Sequence, residues 1–544
     1  MEQQDLHKRL LIALILSALV FLGYSYIVPS PKTSNTAKIE QNSTTNNSAP
    51  VLSETPDTTP ASETTNTVKA SPVLSNEDTI ATIKSKKFIA TIDKFGRISQ
   101  FTLLEPKYKT EEGKALVLFD AKQVKPLEVR FSNTALNDEA FKVAYSSDKA
   151  EINVENSEQS VVLTQKLSST TVTKTITFKP SGEYALKIST SIPTQFFVTT
   201  GSRPVADKAK YMAVKGALVK EADSTIKILE DGDVSSSENF KKASIVSAFD
   251  RYYSSLFFDL KNGMNVSILK EGDDNPLAFV GGNQNLVLGG YIGSKEYKTL
   301  NSISPELTDV IEYGWFTWLA RPFFSLIQSI HNYVGNWGWA IVIFTIFIKV
   351  LLFWPTYKGM LSMQKLKDLA PKMKDIKEKF KDDPAKMNMK TMELYKKHGA
   401  NPFGGCLPII LQIPIFFALY RVLLNADELQ GAPWILWIHD LARADNQILI
   451  PFINLPLPIL PLLMGVTMWY QQKITPSNFT DPMQEKIFKF FPVLMTVFFI
   501  TFPAGLVLYW LTNNILSIGQ QMFVNRAYAK HKLEEIEAHK HKGD

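Results

Sequence analysis

One lysine interrupts the apolar run FTIFIKVLLFWP at residues 344–355. Lys349 lies well inside a stretch that begins near Trp337 and ends near Pro355. A lysine at the centre of a bilayer costs roughly 2.5–3.5 kcal/mol on insertion scales, so its presence there needs a reason. Thr345 precedes it by one helical turn, on the same face. Gln412, Thr512, Asn513 and Asn514 place further polar groups inside other apolar runs. One such residue per helix often serves only as interhelical glue. Here the apolar runs contain no Asp or Glu to pair with the lysine. The set therefore suggests a hydrated, positively charged cavity between helices.

Other chemistries find no support in the residues. There is no G-x-x-x-x-G-K-[ST] phosphate loop and no H-E-x-x-H metal motif. His7 is followed next by His331, so the long β-rich stretch between them has no histidine. Cys406 is the only cysteine, which rules out an intrachain disulfide and reads as a small residue filling space at a helix start. HKHK at 539–542 reads as a solvated tail. No enzyme activity, cofactor, metal or DNA partner is expected.

The chain that must position these residues has 544 residues and a net charge of +6, concentrated in a few stretches. Residues 6–28 are basic and then apolar. They are longer than a signal peptide's apolar core and lack an A-x-A cleavage site, so 1–29 is expected to be a membrane anchor with its basic end in the cytoplasm. Residues 30–79, rich in Ser, Thr, Asn and Pro, are expected to form a disordered linker. From 80 to 304, short β-rich runs predict a β-sandwich. Tyr184, Leu186 and Ile188, alternating with polar residues after Pro180-Ser181-Gly182, show the pattern best. The connection 305–336 contains WFTWLARPFFSLIQSIHNYV, whose Leu319, Phe323, Leu326, Ile327 and Ile330 form one apolar face. It is expected to lie at the membrane surface, with Trp315 and Trp318 at headgroup depth; a helix covering the sandwich core is the alternative.

Apolar runs at 337–356, 403–424, 456–471 and 487–524 follow, and TFPAG at 501–505 divides the last into two helices. With the anchor, six spans are expected: one at 337–357 and four within 401–525. Between the second and third, residues 358–400 hold 12 lysines against 6 acids. Leu366, Leu369, Met373, Ile376 and Phe380 make one helical seam there, and Asp383-Pro384 starts a second helix that ends at Gly399. This predicts a basic cytoplasmic hairpin. Its Met360, Met363, Met373, Met389 and Met392 could offer an adaptable surface to apolar clients or simply hold the hairpin together. The acidic connection 425–447 and the basic tail 526–544 complete an arrangement with both termini in the cytoplasm.

NPFGGCLPIILQIPIFFALYRVL (401–423), APWILWIHDL (432–441), LMGVTMWYQQKITP (463–476), TDPMQEKI (480–487) and FPAGLVLYWLTNNI (502–515) together closely resemble the YidC membrane-protein insertase family of Gram-negative bacteria. The resemblance spans roughly 315–525, and the anchor, linker and β-domain follow in the family's order. It implies a polytopic α-helical inner-membrane protein with a five-helix insertase core and a large periplasmic β-sandwich, similar in fold to sugar mutarotases. It also implies a positively charged groove, open to cytoplasm and lipid, through which nascent membrane proteins pass without nucleotide hydrolysis. Lys349 stands where Gram-negative relatives usually carry arginine. Thr345, Gln412, Phe416, Tyr509, Trp510 and Asn514 are the other expected groove positions. Nascent membrane proteins, the Sec translocon and membrane lipids are the partners this implies, with a weaker case for the ribosome. Two other readings, a channel or transporter and an envelope carbohydrate-binding protein, find less support.

Overall fold

The computed structural model describes residues 67–68, 78–110, 112–206, 213–234, 236–271, 275–401, 407–445, 449–450, 455–475 and 482–540. The expected anchor, nearly all of the linker and Cys406 lie outside the described residues.

The β-rich half follows the two-residue side-chain period. In strands Thr171–Phe178 and Glu183–Thr190, alternate residues are buried, among them Ile176, Phe178, Tyr184, Leu186 and Ile188. These strands pair antiparallel with Phe178 opposite Tyr184, across a turn in which Gly182 takes φ +92°. They belong to a large sheet in which Gln159–Lys166, Thr171–Phe178, Glu183–Thr190, Asn285–Ser294, Tyr253–Phe258, Ile245–Phe249 and Gly216–Lys220 lie side by side. A second, five-stranded sheet contains Thr79–Lys84, Phe88–Asp93 and Ile98–Leu103. Ile83, Ile92 and Phe101 share one hydrophobic core with Ile176 and Leu186, which gives a sandwich-like β-domain.

The same period sends Lys174 inward. Its ammonium donates to the carbonyls of Gly96 (3.0 Å) and Leu127 (2.9 Å) and lies over the Tyr145 ring. Burial pushes this amine down to about 7. Beside it, Arg97 bridges Asp93 and Glu128, and Arg130 closes on Glu128, all with side chains no more than 3% exposed. This network ties strand ends together inside the core.

Short helices α1 (Thr134–Ala140) and α2 (Tyr297–Ile303) belong to the β-domain. The helical part contains α3 (Thr317–Val334), α4 (Trp337–Leu351), α5 (Phe353–Lys379), α6 (Pro384–Lys397), α7 (Leu407–Asn425), α8 (Ile459–Ile474), α9 (Pro482–Phe499) and α10 (Ala504–Lys540). Helix α3 buries Ala320, Phe323, Phe324 and Ile327 and packs on α4 and α7, leaving Trp315 and Trp318 exposed. Its apolar face meets other helices, and Phe324 also packs on Tyr297 of the β-domain, with centroids 5.3 Å apart, so this face is continuous with the β-domain core.

Three boundaries differ from the sequence reading. The helix expected over 337–357 ends at Leu351, and a 64° bend follows before α5. Pro355 accounts for the position of the break: its ring is tolerated in the first turn of a new helix but not within an old one. Helix α5 then runs without interruption into the hairpin. Helix α10 likewise continues past Asn525, where a separate tail was expected. The fourth apolar helix starts at Ile459, after a two-stranded pairing of Leu449–Ile450 with Leu455–Pro456. Among the described residues no single helix is long and apolar enough to cross a membrane; the bent α4–α5 pair together is.

Acids after α7 fasten the β-domain to the helices. Asp427 is fully buried; its carboxylate accepts from Lys107 (2.9 Å) and Tyr108 (2.7 Å) of the β-domain and from Gln430 (2.6 Å). Glu428 accepts from the Tyr297 backbone at 2.9 Å, and Arg251 donates to the Leu424 carbonyl at 2.6 Å. Further out, Lys220 pairs with Glu306 and Asp309, and Arg321 of α3 also reaches Asp309. Asp427→Ala leaves Lys107 and Tyr108 facing a void. The expected loss of junction stability is about 3 kcal/mol, the low end for a broken buried pair because Glu296 stays near Lys107. Hydrogen exchange across 295–303 in the full chain measures it.

Desolvation, and then the charge of Asp427, push the Glu428 carboxyl up to about 7 from its ordinary 4.5. Between those values the folded junction holds a proton that the opened one has released. Stability there must fall as pH rises. The opening free energy of the junction is expected to be larger near the lower end of that window than above it, and Glu428→Gln is expected to flatten the dependence.

Candidate functional site

The break after Leu351 changes the setting of Lys349. Because α4 is short, the lysine lies in its last turn, beside the negative end of the helix dipole. The side chain is half-buried, and its Nζ donates to Ser517 Oγ of α10 at 2.8 Å. Ser517, itself buried, passes its own proton to the Asn513 carbonyl at 2.7 Å. Among the described residues no carboxylate lies within ion-pairing distance of Lys349, and Ser517 is its one hydrogen-bond partner. A cation is thus held between helices by a single neutral hydroxyl.

The other expected residues fall into separate groups. Thr345 is buried and donates to the Ile341 carbonyl of its own helix. Gln412 of α7 donates to the Tyr509 hydroxyl of α10 at 2.5 Å. Phe416 meets Trp510 edge-on, with centroids 4.9 Å apart, and Trp510 also packs on Phe499. Gln412, Phe416, Tyr509 and Trp510 therefore form one patch where α7 meets α10. Asn514 turns to the opposite neighbour, α8, donating to Thr467 (3.3 Å) and the Met464 carbonyl (3.5 Å). It shares no partner with Lys349.

Sequence reasoning missed the continuation of this polar row. Gln520 donates to Thr356 (2.7 Å) and the Phe353 carbonyl (3.2 Å), next to the α4–α5 bend. Gln364 of α5 donates to Asn525, which in turn donates to the Ile474 carbonyl of α8 at 3.1 Å. Tyr528 and Lys532 both donate to Asp368 of α5. Positions 514, 517, 520, 525, 528 and 532 put a polar residue on α10 every three to five residues, a signal that was available in the sequence.

The hairpin divides its methionines by role. Met373 accepts from the Tyr395 hydroxyl and belongs to the seam between α5 and α6. Met360 and Met363 are half-buried near the base, whereas Met389 and Met392 on α6 are exposed at 52% and 55%. Asp383 caps α6 by accepting from the Lys386 amide at 2.9 Å. Outside the hairpin, Val350, Leu351, Trp354, Val466, Val493 and Phe523 expose large apolar surface on five different helices. Among the described residues no cluster of His, Cys, Asp or Glu could hold a metal ion.

Comparison with known proteins places this arrangement. The family described as "YidC periplasmic domain" matches residues 81–326, and that described as "60Kd inner membrane protein" matches 329–532. A protein of Campylobacter jejuni named "Membrane protein insertase YidC" is 49% identical over 526 residues, covering 96% of each chain. Proteins of the same name from Wolinella succinogenes (45%, 96% of each) and Helicobacter pylori (42%, 98% of each) are similar over the same extent. A solved structure described as "Active YidC insertase crystal structure with the first transmembrane domain resolved" aligns over 81% of this chain and 94% of its own, with 18% identity and a TM-score of 0.34. Matched along nearly its whole length, through both its β-rich and helical parts, the chain belongs to the YidC family of membrane protein insertases.

Proposed function

We propose that this chain inserts nascent proteins into the bacterial inner membrane through a hydrated groove centred on Lys349. The observation that carries the reading is the half-buried lysine with no carboxylate partner, held by Ser517 alone among the described residues. Membership of an insertase family, with no catalytic activity in its relatives' names, supports transport without enzymatic chemistry.

In this reading a client's apolar segment first meets the cytoplasmic hairpin, where Met389 and Met392 are exposed. Its short polar flank enters between α4, α7 and α10. There Lys349 lowers the cost of carrying acidic groups part-way across, and Gln412, Phe416 and Trp510, backed by buried Tyr509, meet the client's apolar surface. Sliding of the client into lipid supplies about 25 cal/mol per Å² of apolar surface removed from water. A membrane potential adds about 2.3 kcal/mol per 100 mV for each acidic charge moved outward. The exposed apolar side chains on five helices support embedding of this region in lipid. The charge pattern of the sequence supports six spans, both termini in the cytoplasm and the β-domain outside. Family resemblance supports work alone or beside the Sec translocon; for the ribosome it gives weaker support.

Lys349→Met is expected to cut insertion of clients with acidic outward tails by about tenfold, the equivalent of 1.4 kcal/mol. The measurement is protease protection of the tail in vesicles containing the full chain. Unchanged insertion of such clients would remove the lysine from the mechanism. A photo-crosslinker at Gln412 is expected to capture ribosome-tethered clients that expose one apolar segment, and to lose them when that segment is made polar. Equal labelling from Phe417, exposed at 45%, would reduce Gln412 to interhelical glue.

A further inference from the structure

Lysine and arginine demand different things of a groove. Guanidinium is a planar fork with five donors, whereas an ammonium is a compact charge on a flexible four-carbon stem. Unless something holds it, a lysine in a hydrated site samples many rotamers and puts its charge in no fixed place. Ser517 supplies that hold. Its hydroxyl proton goes to the Asn513 carbonyl at 2.7 Å, which turns an oxygen lone pair towards Lys349 at 2.8 Å. One of the three ammonium donors is thereby committed. Among the described residues the other two have no protein acceptor.

Ser517 is itself held firmly. It is 4% exposed, on a helix anchored one turn to either side: Asn514 donates to α8, and Gln520 donates to α5. The end of α4, just before the 64° bend, lies against this part of α10, and the half-buried lysine reaches the hydroxyl from there.

We propose that Ser517 is a positioning residue for the groove cation: it fixes the Lys349 ammonium on α10 with two donors free, and so sets the preference for clients whose outward tails carry carboxylates. This rests on the groove reading above. A carboxylate arriving in the groove meets a charge already in place, and the ordering cost of the lysine stem has been met by the fold.

The test uses the full chain reconstituted in vesicles of phosphatidylethanolamine and phosphatidylglycerol. Two versions of one single-span client are compared, one with two aspartates in the outward tail and one with two asparagines. The readout is the ratio of acidic-tail to neutral-tail insertion. Ser517→Ala is expected to lower that ratio roughly fivefold, a size within the range for loss of one ordinary hydrogen bond and smaller than the effect of removing the charge itself. Ser517→Thr, which keeps the hydroxyl, is expected to restore it. In a Lys349→Met background Ser517→Ala is expected to leave the ratio where Lys349→Met alone puts it. A ratio unmoved by Ser517→Ala while Lys349→Met lowers it would overturn the positioning role and spare the groove. A further fall in the Lys349→Met background would also overturn it, since Ser517 would then act through something other than the lysine. A ratio unmoved by Lys349→Met would overturn the groove reading and this inference together. The Thr variant separates these outcomes from damage to packing, because a misfolded chain is not rescued by a returned hydroxyl.

Discussion

Helices surrounded by lipid gain nothing by hiding apolar surface from one another, so close packing and interhelical hydrogen bonds must hold them in place. In this chain the second of these is concentrated on α10. From Tyr509 to Lys532, that helix exchanges hydrogen bonds with α7, α8, α4 and α5 in turn. Each bond is modest alone. Lost together, they would leave close packing alone to set the depth and rotation of the helices. The bend after Leu351 depends on the same row, because Gln520 donates to the Phe353 carbonyl at the start of the new helix. The setting of Lys349 follows from the bend: an unbroken helix through Pro355 would place it mid-helix, away from a helix terminus that favours a cation.

The β-domain depends on a different constraint. Its junction with the helices is built from ionisable groups that are largely out of water: Asp427 against Lys107 and Tyr108, and Glu312 against Arg421. Such pairs contribute little net stability compared with apolar contacts of the same shape, but they tolerate no misplaced partner. They are suited to fixing one orientation. The β-domain's own interior uses the same logic, with Arg97, Asp93, Glu128 and Arg130 mutually paired.

Patterns of local period could be read directly from the residues. Alternation in Tyr184, Leu186 and Ile188 identified a strand face, and Asp383-Pro384 marked a helix start that the structure also has. What could not be read was partnership across long separations. Lys107 and Asp427 are 320 positions apart, and in the sequence Asp427 looks like one more acid in a connecting loop. Lys174 followed its strand's period into the core, where the sequence offers no sign of the two carbonyls awaiting it. The helix continuing past Asn525 was hidden for another reason. Hydropathy marks where apolar character stops, and a helix need not stop there. For the candidate site, the sequence showed which residues are polar but not which were already satisfied; Thr345 and Asn514 proved to be bonded elsewhere.

The same row on α10 also divides the α5–α6 hairpin into two mechanical parts. Helix α5 is hydrogen-bonded to α10 at Thr356, Gln364 and Asp368. Leu366 and Leu369, on either side of Asp368, pack within the hairpin against Ala400, Leu394 and Tyr395, and further out Met373 meets Tyr395. No residue of α6 is buried. Between Ser517 and Tyr528 an α-helix rises about 16 Å at 1.5 Å per residue, so the anchored base of the hairpin and the lysine site belong to one rigid rod. Displacing the base would break a row of bonds to polar and charged groups, from buried Gln520 out to exposed Asp368. Displacing the tip would cost only a small apolar seam at the water interface. Within the hairpin the least constrained element is therefore α6, which can move without disturbing the bond between Lys349 and Ser517.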